Sequence, residues 1–170
     1  MNPEMIVLRL LHIGGGTFWV GAALYNSFFL LPSMADAGPA GAPVMAGLQK
    51  RKLMTILPVV AIVSMLAGLR MLQLISEGFT AQYFATSVGA AYLTGAIVSI
   101  IGFLVGMFVA RPAMLRAGAL MASRAAASND EKLSVDVKIA RNRQRATTFG
   151  MISSLLLLAA ALLMAVARYL

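Results

Sequence analysis

The sequence predicts an all-α membrane protein, a single domain over residues 1–170 built as a four-transmembrane-helix bundle, with helices three and four extended into a cytoplasmic helical hairpin. Three observations predict it. Hydrophobic residues make up 60% of the 170-residue chain and charged residues 12%. The apolar residues gather into four stretches, each longer than the roughly 20 residues a helix needs to cross hydrocarbon. The basic residues between those stretches fall almost wholly on one side. Strand alternation is absent, and an open sheet edge in lipid would leave backbone amides unpaired, so helices rather than a barrel are expected.

The first span is read over residues 5–31 and is stopped by Pro32. Ser33-Met34-Ala35 imitates a signal-peptidase site, but the stretch lacks a basic start and exceeds the usual length of a signal peptide's apolar region, so it reads as a retained span. Ala37-Gly38-Pro39-Ala40-Gly41-Ala42-Pro43 is expected as an irregular connection. From Val44 the helix formers Met45, Leu48, Gln49 and Lys50 place the start of helix two ahead of its span at 53–75, with Pro58 tolerated at the cost of a kink. A short turn at 76–82 makes helix three, spanning 83–110, an antiparallel neighbour of helix two. Ala, Leu, Met and Arg dominate residues 113–127 and favour helix. Ser128-Asn129-Asp130-Glu131 then reads as a turn and capping box. Val135, Ile139 and Asn142 continue one face into the fourth span at 146–167. Residues 111–145 therefore form the hairpin, about 25 Å tall at 1.5 Å per residue.

Orientation follows from charge. Lys50, Arg51, Lys52, Arg111, Arg116, Arg124, Lys132, Lys138, Arg141, Arg143 and Arg145 lie on the side of the 33–52 and 111–145 segments, against Arg9, Arg70 and Arg168 on the other. Positive charge marks the cytoplasmic side, so both termini are expected in the periplasm of a bacterial inner membrane. The net charge of +8 is then a topology signal, and without a base-reading motif nucleic acid is not an expected partner. The hairpin's basic residues suit anionic lipid headgroups or an acidic partner. The chain has no cysteine, which excludes disulfides, thiolate metal sites and a cysteine nucleophile.

His12 is the sole histidine. An ionisable side chain inside a span is a functional candidate, and three roles are open to it: a neutral hydrogen bond to a neighbouring helix, the axial ligand of a haem iron or chlorophyll-type magnesium, and proton transfer. Bis-histidine haem and a catalytic zinc site are beyond one histidine. Arg9 and Arg70 share a leaflet with Glu4 and Glu77; they either bind a lipid phosphate or a substrate carboxylate, or snorkel to the headgroups. Twelve methionines raise Cu(I), but they form no compact Met-x-x-Met cluster in a loop, and gap-filling in the core is their expected role. No metal site and no catalytic constellation is expected. Gly95, Ser99, Gly102, Gly106 and Ala110 form a small-residue stripe on helix three for close helix packing. Gly14, Gly15, Gly16, Gly21 and Ala22 on helix one, Ser64 and Gly68 on helix two, and Ala161 and Ala165 on helix four add further small faces. These serve packing within the chain or against a second chain.

Leu11-His12-Ile13, Phe18-Trp19-Val20-Gly21 and Tyr25 resemble the first helix of the copper-resistance D-type membrane proteins and the related membrane protoporphyrinogen oxidases. In those families a histidine precedes a tryptophan by seven positions and a tyrosine follows six later, as His12, Trp19 and Tyr25 do. The resemblance covers about 25 residues and the four-helix plan, and it implies a haem-ligand role for His12. Ser27-Phe28 stand where the oxidases carry a Pro-Arg pair. The function expected from these features together is a non-catalytic accessory or structural subunit of a larger inner-membrane assembly of respiratory or photosynthetic type. Its partners are membrane lipids and either other transmembrane helices of that assembly or further copies of itself. The alternatives are a haem- or copper-handling protein using His12, and a pigment- or lipid-binding subunit.

Overall fold

The computed structural model describes residues 2–124 and 128–170. Every regular element among them is helical, and four helices are long and apolar enough to cross a membrane. Helix α1 covers Pro3–Asp36, with π-turns at Leu10–Gly14 and Asn26–Leu30. Asn2 caps it by accepting the Glu4 N–H at 3.0 Å, ahead of a proline at the first position, where its missing N–H costs nothing. The short α2 covers Ala42–Lys50 and α3 covers Leu53–Ile75. One turn of helix, α4, spans Ala81–Phe84. Helix α5 covers Ser87–Ser123 with a π-turn at Gly106–Ala110, and α6 covers Asn129–Val166.

Four expectations are corrected at the element ends. Pro32 does not stop helix one: the π-turn just before it shifts the hydrogen-bond register where a proline ring would clash, and α1 runs on to Asp36. The 37–43 segment is not wholly irregular, since Gly38–Gly41 is a 3₁₀ turn entered through Gly38 at φ 56°. Helix two is not continuous from Val44, because Lys52 adopts the left-handed conformation at φ 57° and separates α2 from α3. Helix three starts at Ser87 rather than Tyr83, where the Thr86 hydroxyl accepts the Gly89 N–H at 3.0 Å. The segment 113–127 is helical through Ser123, and its residues 125–127 lie outside the described residues. The capping box opens α6: the Glu131 carboxylate accepts the Ser128 N–H at 3.0 Å and its hydroxyl at 2.8 Å.

The long helices form two pairs. In the first, α5 and α6 run antiparallel along each other. Gly95 lies against Met164, Gly102 against Leu157 and Gly106 against Ser153. Further along the same register Ala113, Ala117, Ile139 and Ala146 are buried, and Arg124 pairs with Asp136 through a second bond of 2.8 Å between Nη2 and Oδ2. In the second pair α1 lies along α3. The pairs meet where α1 touches α6 and where Trp19 stands edge-on to Phe103 with ring centroids 5.8 Å apart. Most buried apolar residues are alanines, as expected of bilayer helices held together by close backbone approach.

Candidate functional site

The wall of α1 that faces the bundle carries His12, Gly15, Gly16, Trp19, Ala23 and Ser27. His12 Nδ1 lies 2.8 Å from the Ser64 carbonyl oxygen on α3. A carbonyl only accepts, so this nitrogen carries the ring proton. The Ser64 hydroxyl donates back to the His12 carbonyl at 2.9 Å, closing a reciprocal pair between the helices. Gly68, one turn further along α3, makes room for the ring: a Cβ there would stand 2.6 Å from Nδ1 and Cε1. A Cβ on Gly15 would stand 3.3 Å from that of Ser64. With Nδ1–H committed to a backbone carbonyl, Nε2 is the nitrogen left to accept a hydrogen bond or bind a metal.

A second polar cluster joins α1 to α6. Ser27, Ser153 and Ser154 are all buried. Ser27 Oγ and Ser154 Oγ are 2.8 Å apart, and Ser154 Oγ lies 3.0 Å from the Ala23 carbonyl and 2.8 Å from that of Gly150. Ser153 donates to the Gly102 carbonyl at 2.7 Å. The serines bond to one another and to backbone carbonyls, with neither imidazole nor carboxylate among these bonds. Among the described residues no three of His, Cys, Asp or Glu gather as a metal site.

The three serines border a partly open cavity of about 180 Å³, where the two helix pairs part and α2 closes one side. Methionines line it from three helices, Met45 of α2, Met54 of α3, and Met107 and Met114 of α5, with Leu48 and Leu57 beside them. The π-turns Asn26–Leu30 and Gly106–Ala110 face it from opposite pairs and contribute Asn26, Ser27, Leu30, Gly106 and Ala110. Arg111 also lines it, and Arg111 Nε is buried without a hydrogen-bond partner. A buried donor left unpaired costs about 1 to 3 kcal/mol, and more when charged. Among the described residues no carboxylate lines the cavity, and neither does His12.

At the chain-terminal end, Arg70 Nε donates to Glu4 at 2.8 Å and its Nη1 to Gln73 at 2.9 Å, so Arg70 ties α3 to the start of α1, while Arg9 is exposed. At the opposite end, hydrogen bonds from Ser128 hold the Glu131 carboxyl below its usual range. Arg124 does the same for Asp136, and Asp136 in turn raises the Arg124 guanidinium. Of the helix-three stripe, Gly95, Gly102 and Gly106 lie against α6, Ser99 donates to the Ala96 carbonyl of its own helix at 2.8 Å, and Ala110 lines the cavity. Sequence reasoning did not single out Ser27, Ser153 or Ser154; the available signal was a hydroxyl pair at 153–154 inside an otherwise apolar span.

Compared with known protein families, curated proteins and solved structures, the chain matches none. Of the three residues that carry its resemblance, His12 and Trp19 share the inward wall, whereas Tyr25 is 57% exposed on the other side of α1.

Proposed function

We propose that this chain is a non-catalytic accessory subunit that docks the outer face of α1 against another protein of a bacterial inner membrane, in an assembly of respiratory or photosynthetic type. The observation that carries this reading is the pair Gly14 and Gly21. A Cβ at either would meet nothing within 4 Å, whereas Gly89, Gly95, Gly102 and Gly106 within the α5 span are all filled by neighbours in the chain, and the open Gly118 lies past that span in the basic segment. Both glycines are exposed beside Leu10, Phe18 and Tyr25, and Ser27 is the one residue of Pro3–Asp36 that is buried. Glycine on a lipid-embedded helix face suits the close approach of a second backbone. A photo-crosslinking residue in place of Phe18, in intact cells, is expected to capture a protein, while one at Leu162 on α6 captures lipid. Equal capture from both positions would refute the reading, and an adduct of two copies of this chain would replace it with a homo-oligomer.

In this reading the eleven basic residues of the α2 and α5–α6 end face the cytoplasm, the helices beyond the spans form the cytoplasmic hairpin, and both termini are periplasmic. Cysteines introduced at Asn2 and Leu133 should react with a membrane-impermeant reagent from opposite sides. Labelling of position 133 alone in intact cells would invert the orientation.

A second reading rests on His12. Its Nδ1–H is donated to a backbone carbonyl, the arrangement that orients a ligating imidazole in metal sites, and the resemblance to the copper-resistance D-type proteins and membrane oxidases assigns it to haem. A Soret band in the purified protein that is lost in His12→Ala would favour this reading over the first.

A further inference from the structure

The cavity between the helix pairs combines two features that the packing of the chain does not use. Its walls are apolar and rich in methionine, side chains that adapt to irregular guests. Its volume of about 180 Å³ exceeds that of an engineered apolar cavity, about 150 Å³, that holds benzene. Arg111, which also lines it, brings a guanidinium whose Nε has no acceptor, and no carboxylate among the described residues lines the space. A guanidinium offers Nε and a terminal nitrogen as a fork matched to phosphate oxygens. Arg111 follows directly on the span read at 83–110, the depth at which a headgroup begins.

From this we infer that the cavity is a binding site for one anionic phospholipid, its phosphate on Arg111 and part of one acyl chain among Met54, Met107 and Met114. Apolar walls disfavour a free phosphate ion, and the unpaired donor disfavours a purely hydrocarbon guest. The site is separate from the outer face of α1, so it stands or falls independently of the docking proposed there.

The test uses the full chain, reconstituted in bilayers of equal parts phosphatidylglycerol and phosphatidylcholine, then extracted in mild detergent and weighed by native mass spectrometry. The wild type is expected to retain one phosphatidylglycerol. Arg111→Gln is expected to lower that retention about tenfold, the scale of one lost charge-assisted hydrogen bond. Arg116→Gln removes the same charge from an exposed position of α5 that does not line the cavity, and it should retain the lipid. Ala110→Leu fills the cavity with Arg111 intact and should also lose it. All variants are first checked for helical content and a single elution peak, and Ala110→Leu decides if Arg111→Gln does not fold. Equal retention of phosphatidylcholine, equal loss in Arg111→Gln and Arg116→Gln, or undiminished retention in Ala110→Leu would overturn the inference. So would retention of added oleate with no phosphatidylglycerol bound, which would assign the site to a fatty acid.

Discussion

The α5–α6 pair and the α1–α3 pair balance close fit and polar bonds differently. Between α5 and α6, glycines accept bulky partners along the interface: Leu157, 2% exposed, packs over Gly102, and Met164 over Gly95. Close fit dominates that pair, with the Ser153 bond to the Gly102 carbonyl and the Arg124–Asp136 ion pair added to it. Between α1 and α3 the junction is polar, with His12 and Ser64 exchanging bonds mid-helix and Glu4 pairing with Arg70 near the helix ends. The Glu4 and Arg70 side chains are 44% and 46% exposed, and such ion pairs contribute little. Hydrogen bonds between membrane helices contribute about 0.6 kcal/mol on average and up to about 1.7. A pair held by a few such bonds leaves α1 with most of its surface uncommitted. The more open pair is therefore the one suited to a partner, and the tight pair is the scaffold.

The largest loss is expected at the scaffold. Replacing Gly102 and Gly106 together by leucine puts side chains where a Cβ alone would stand 3.2 Å from Leu157 and 2.9 Å from the Ser153 hydroxyl. Overpacking costs about 1 to 3 kcal/mol at each site, so the double variant should melt far below the wild type in detergent. An unchanged melting temperature would mean that these helices are not held by fit.

A smaller effect sharpens the other half. Gly68→Ala sets a methyl 2.6 Å from the imidazole and should cost about 1 to 3 kcal/mol, but in a His12→Ala background the same change should be nearly neutral. His12→Gln keeps one amide donor for the Ser64 carbonyl and should cost about 1 kcal/mol or less. Additive losses in the Gly68 and His12 variants would show that the ring does not lie on Gly68 in solution.

The spans were legible because a bilayer demands a long run of apolar residues, and Leu53–Ile75 coincides with its reading. The start of α6 was legible because Ser128 and Glu131 carry a local hydrogen-bond pattern that needs no tertiary context. The break at Lys52 was not, since a left-handed lysine leaves no mark in composition. Nor were the three π-turns, because a one-residue slip in hydrogen bonding leaves the apolar pattern unchanged. Two of these turns shape the cavity, so its lining by methionines from three helices could not be read from their spacing along the chain. His12 was visible as the sole histidine, set inside a span. Its partners Ser64 and Gly68 were visible only as small residues on another helix, and their meeting with it is a fact of packing.

The smallest effect on stability falls on Gly14 and Gly21, where added side chains meet open space. The most direct test of the account is the size of the particle containing this chain after mild extraction, measured by native electrophoresis for the wild type and for Gly14→Leu/Gly21→Leu. The wild-type particle is expected to be much larger than the chain, and the variant to be released to a small form while its stability in detergent stays within about 0.5 kcal/mol of wild type. A wild type that runs as the free chain, or a variant that stays in the large particle, would contradict it.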